Sequence, residues 1–93
     1  MANYELYWNT PDCKNVPKNM VVGGSFGKIE EARAYACKKI GSKPNKVIEI
    51  FNFHADGGIE EVGVVKIIGI TIIWVDAKDR KFALRSNGST VRL

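Results

Sequence analysis

Val62-Gly-Val-Val-Lys-Ile-Ile-Gly-Ile-Thr-Ile-Ile-Trp-Val75 is the most apolar stretch of the chain, and nine of its residues are valine or isoleucine. Branching at Cβ stiffens these side chains and suits them to a pleated, packed surface, so the run predicts the middle of a β-sheet. Helical spacing is absent, and Gly63, Lys66 and Gly69 interrupt the stretch. It therefore reads either as two strands or as one long strand with a bulge or sharp bend near Gly69.

Working outward to the C-terminal side, Asp76-Ala-Lys-Asp-Arg80 is a turn, and Asn87-Gly88 between residues 82–86 and 89–93 is a strong hairpin signal. A two-residue turn would pair Leu84 with Val91 and Phe82 with Leu93, facing all four inward and gathering Lys81, Arg85, Thr90 and Arg92 on the opposite face. Two registers with the preceding strand are open. Pairing Val75 with Phe82 would set Ile72 and Trp74 beside Arg85 on an outer face, whereas pairing Trp74 with Phe82 buries them. The second is preferred because large aromatics usually contribute to cores.

On the N-terminal side of the run, Val47, Glu49, Phe51 and Phe53 alternate with Ile48, Ile50, Asn52 and His54, as in a strand apolar on both faces. Asp56-Gly57-Gly58 is a hairpin turn, so Ile59 onward should return antiparallel. Residues 28–40 form the expected helix, with Ile29, Ala32, Ala36 and Ile40 on one stripe, Glu30 and Glu31 near its start and Lys38 and Lys39 near its end. Gly41 should supply a left-handed stop, and Pro44 prevents continuation. Gly23-Gly24-Ser25-Phe26-Gly27-Lys28 lacks the first glycine and the final Ser or Thr of a phosphate-binding loop, and reads as a turn into the helix. Residues 20–22 are a short strand or a tuck onto the core. Pro11 and Pro17 make residues 9–19 a surface loop, and residues 4–8 alternate as a first strand. The order predicts an α+β fold: one helix packed on a mainly antiparallel sheet of about five to six strands, in a strand, loop, helix, strand meander.

At 93 residues, 45% of them hydrophobic and 26% charged, the chain is sized and composed for one domain spanning residues 1–93. The net charge of +4 is unevenly placed. Residues 1–62 balance eight basic against eight acidic groups, while residues 63–93 carry six basic and two acidic ones. The N-terminus lacks a secretory pattern and the 62–75 run is too short to span a bilayer as a helix, so a cytoplasmic protein with reduced Cys13 and Cys37, and no membrane partner, is expected.

Little in the sequence speaks for catalysis. His54, the sole histidine, has no spaced Ser, Cys or Asp to orient it. Cys13, Cys37 and His54 lie too far apart in sequence to resemble the close pairs of a zinc site. Cys37 near a helix C-terminus reads as a packed thiol, and Asp76 and Asp79 as turn residues. No enzyme, cofactor or metal is expected. Two binding readings remain. One is a protein-interaction module or homodimer, because the 62–75 run is apolar on both alternating sets while one helix covers one face, with Ile72 and Trp74 as the candidate interaction face. The alternative is weak nucleic-acid binding through Lys78, Arg80, Lys81, Arg85 and Arg92, with an exposed Trp74 stacking on a base.

Overall fold

The apolar run divides at Gly69 into two strands of one antiparallel sheet. The structure, a computed structural model, describes residues 2–9 and 21–93. In chain order the elements are β1 (Tyr4–Asn9), β2 (Val21–Phe26), α1 (Ile29–Ile40), β3 (Val47–Phe53), β4 (Ile59–Ile68), β5 (Thr71–Asp76), β6 (Lys81–Leu84) and β7 (Thr90–Arg92). Among the described residues the sheet has seven strands in the order β2-β1-β3-β4-β5-β6-β7, with α1 on one face. The α+β class is as expected, and the strand count is higher than five to six. The added strand is β2, which runs through Gly23 and Gly24 where a turn was expected. Both glycines take positive φ there, and the β1–β2 register shifts twice. Of the expected loop over residues 9–19, Asn9 belongs to β1, and residues 10–19 with the Cys13 thiol lie outside the described residues.

Alternation places Leu6 and Trp8 of β1, Ile48 and Ile50 of β3, Val65 of β4, Trp74 of β5 and Leu84 of β6 on the helix side. There they form one buried cluster with Ala32, Ala36 and Ile40. The two alanines let α1 approach the sheet closely. Trp74 pairs with Phe82 and is 4% exposed, which is the preferred register, and Ile72 is half-buried on the same side. The indole lies over Gly63, where a Cβ would come within 2.4 Å of Trp74 Cη2 and 2.6 Å of the Val75 carbonyl oxygen. Beside it, Val62 is the extra residue of a β-bulge, since Ile50 pairs with Gly63 but Phe51 with Glu61.

Two local expectations need correction. Gly41 ends α1 with φ −63° and ψ −23°, in the right-handed region. The chain instead leaves the helix through tighter turns, Ser42 N–H to the Lys39 carbonyl and Lys43 N–H to that of Ile40, before Pro44. The C-terminal hairpin also does not close on two residues. Arg85 pairs with Ser89 around Ser86-Asn87-Gly88, the Gly88 N–H bonds the Arg85 carbonyl at 2.9 Å, and Gly88 has φ 89°. This is the three-residue hairpin loop, with glycine in the left-handed position. One extra residue in the turn slips the register by one: Ala83 pairs with Val91, Leu84 with Thr90 and Phe82 with Arg92.

Among the described residues no helix is long and apolar enough to cross a membrane.

Candidate functional site

The same slip dissolves the basic cluster. Lys81 and Arg85 keep the face away from α1, while Thr90 and Arg92 join Leu84 and Phe82 on the helix face. Lys78 and Arg80 sit in the β5–β6 turn, where Arg80 Nε bonds Asp76 Oδ2 at 2.7 Å. Desolvation raises the Asp76 carboxyl pKa, but hydrogen bonds from the Arg80 backbone and guanidinium and from the Lys78 N–H outweigh it, leaving the group below its usual range. The five expected anion contacts are thus spread over two faces and a turn, with Arg80 already paired. Trp74, buried under α1, has Arg33 at 5.5 Å over its ring and offers no stacking surface, so it and Ile72 do not form an outer interaction face.

Exposed apolar surface lies elsewhere. Ile68 and Thr71 close the β4–β5 hairpin around Gly69-Ile70. Gly69, at the first central position, has φ 65°, the feature that defines a type II′ turn and suits the twist of the flanking strands. This tight turn lifts Ile70 into water at 101% exposure, with Ile68 51% exposed behind it. The surroundings are basic. Lys66 stands two residues before Ile68 on the same face, and extending the β3–β4 and β5–β6 registers sets Lys46 beside Ile67 and Arg85 beside Thr71. Residues 42–48, 64–73 and 83–90 contain no Asp or Glu, but the start of α1 packs against residues 83–90 and brings Glu30 and Glu31 to this end. The reading of the 62–75 run flagged a bend near Gly69 but gave no hint that isoleucine would occupy its apex.

The opposite end of β4 is of mixed charge. Glu60, Glu61 and Val62 line a depression of about 190 Å³ with Asp76, Ala77, Lys78 and Arg80. His54 lies exposed at its edge, Nε2 3.4 Å from Glu60 Oε1. Farther in, on the face away from α1, Glu49 is 1% exposed and accepts a hydrogen bond from the Asn9 side-chain amide. Desolvation, with a hydrogen bond to Glu49 and its negative charge, raises the Glu61 pKa from 4.5 to about 7. Glu61 thus keeps its proton to about pH 7 beside the Glu49 carboxyl. This pair was missed, although a glutamate between Ile48 and Ile50 in an otherwise apolar strand was the available signal. Burial also raises the Cys37 thiol, which is free and half-buried, so it is held away from the reactive thiolate.

No protein-family model, curated protein or solved structure matches the chain.

Proposed function

We propose that the chain is a small non-enzymatic binding module working through protein–protein contact, self-association included, with the β4–β5 hairpin tip as its contact surface. The observation that carries this reading is the full exposure of Ile70 at the apex of a tight turn, with Ile68 half-exposed behind it. A β-branched aliphatic side chain held in water by a short, well-defined turn gains on docking, and little chain entropy is lost when it does so. A cytoplasmic setting belongs to the same reading, because it keeps Cys37 reduced. Nucleic-acid binding is less well supported, since the basic residues are dispersed and the Trp74 ring is covered.

The test is sedimentation velocity over a concentration series, comparing the natural protein with Ile70→Asp. A fully exposed side chain contributes little to the fold, so the substitution should change stability by no more than about 0.5 kcal/mol. The natural protein should gain mass with concentration and the variant should remain monomeric. If the natural protein also stays monomeric, self-association is removed and the tip must be tested against a foreign partner, with Ile70→Asp as the control.

A further inference from the structure

Asn87-Gly88 builds a hairpin loop, and it is also the one place in the chain where glycine follows asparagine. Without a side chain on Gly88 to crowd it, the Gly88 nitrogen is free to attack the Asn87 carboxamide. The bond from Gly88 N to Asn87 Cγ forms, the bond from Cγ to the amide nitrogen breaks, and ammonia leaves with the Gly88 N–H proton. The product is a cyclic succinimide. Water opens it at the Cγ carbonyl to give aspartate, or at the main-chain carbonyl to give isoaspartate, for a net gain of about one dalton and a negative charge.

We infer that Asn87 is a deamidation site that the fold keeps shut, the block being the seat of Gly88 against α1. A second turn in the same chain separates the seat from the turn itself. His54 pairs with Gly58 around Ala55-Asp56-Gly57 as Arg85 pairs with Ser89 around Ser86-Asn87-Gly88. The Gly57 N–H donates to the His54 carbonyl at 3.0 Å, and the Gly88 N–H to that of Arg85 at 2.9 Å. The Gly58 N–H donates to Asp56 Oδ1 and the Ser89 N–H to Asn87 Oδ1, both at 2.9 Å. Positive φ is common to both glycines, 92° and 89°. Their surroundings differ. A Cβ on exposed Gly57 would meet nothing within 4 Å, whereas one on buried Gly88 would lie 1.9 Å from the Glu30 carbonyl oxygen. The Gly88 carbonyl is also held by Arg33 Nε at 2.9 Å. Attack requires the Gly88 nitrogen to leave the Arg85 carbonyl and turn toward Cγ, which shifts the Gly88 main chain that Glu30 and Arg33 confine. Asn87 itself is exposed, so water reaches it freely, and conversion waits only on local opening of the loop from the helix. Isoaspartate lengthens the main chain of a loop whose length sets the β6–β7 register, so a converted chain does not regain its seat.

Asp56→Asn tests this, because it sets the same asparagine–glycine pair in the open turn and keeps a side-chain oxygen for the Gly58 N–H. Circular dichroism establishes that the variant is folded. It is then held in mildly alkaline buffer, with or without guanidinium chloride, and each loop peptide is followed by mass spectrometry. In the folded variant, position 56 should convert at least about tenfold faster than position 87, and in guanidinium chloride the two rates should agree within about threefold. The natural protein supplies a second measurement that needs no variant: Asn87 should convert at least about tenfold more slowly in buffer than in guanidinium chloride. Equal rates at the two positions of the folded variant, whether fast or slow, would mean that the turn alone decides and would overturn the role of α1. No slowing in the natural protein overturns the block, and no conversion of Asn87 in guanidinium chloride overturns the site.

Discussion

At the scale of single residues, the most consequential side chain outside the apolar core is Glu49. It is buried on the face away from α1, where its polar neighbours are the Asn9 amide and the Glu61 carboxyl. A carboxylate removed from water needs hydrogen bonds to offset its lost hydration. Glu61 supplies one by keeping its own proton to about pH 7, well above its ordinary 4.5. The native state therefore holds a proton that the unfolded chain releases above pH 4.5. The stability this brings is complete below about pH 4.5 and is lost as pH rises through 7. The melting temperature should accordingly fall between pH 5 and pH 8, and Glu61→Gln, which donates without titrating, should flatten that fall. An equal slope in the variant would place the pH dependence on other groups. No kink in the hydrophobic pattern marks Glu61 as the partner, because pairing it with Phe51 requires the bulge at Val62.

Among elements, three of the hairpin turns share a construction. His54 to Gly58, Asp76 to Arg80 and Arg85 to Ser89 each close around three residues, with the last at positive φ: Gly57 at 92°, Asp79 at 66° and Gly88 at 89°. Asp79 tolerates this position because a short polar side chain can hydrogen-bond locally. Gly88 is further constrained by α1. Arg33 Nε donates to its carbonyl at 2.9 Å, and a Cβ on it would lie 1.9 Å from the Glu30 carbonyl oxygen. Gly88→Ala should therefore lever the hairpin off the helix and cost about 3 kcal/mol, combining left-handed strain with overpacking. Chemical denaturation measures this, and a loss below 1 kcal/mol would mean the contact yields freely. The elements themselves were legible: α1, β1 and β3 follow from period and β-branching, while the 62–75 run allowed either two strands or one bent at Gly69. What failed was turn length. Asn87-Gly88 signals a two-residue turn, and whether Ser86 joins it is decided by the seat against α1, which local sequence does not contain.

For the whole molecule, the legible and illegible parts of the site divide along the same line. Exposure of Ile70 follows from a tight turn at Gly69, a local event, but the gathering of Lys46, Lys66 and Arg85 around it is a product of sheet order. It comes from setting Lys46 of the β3 end and Arg85 of the β6 end against one hairpin tip. The blunt edges of the sheet favour contact at these ends over edge pairing. β2 is broken by two positive-φ glycines, and β7 spans only three residues, so neither offers a long regular ladder. Self-association through the tip should then respond to salt in a diagnostic way. Screening shortens the reach of the charges from about 30 Å at 0.01 M to about 3 Å at 1 M, while burial of the isoleucines is not weakened. A contact between two tips sets Lys46, Lys66 and Arg85 of one copy against those of the other, so sedimentation of the natural protein should show self-association rising with salt across that range. Association that weakens with salt would instead mean that opposite charges meet in the contact and that the tip seats on a surface other than a second tip.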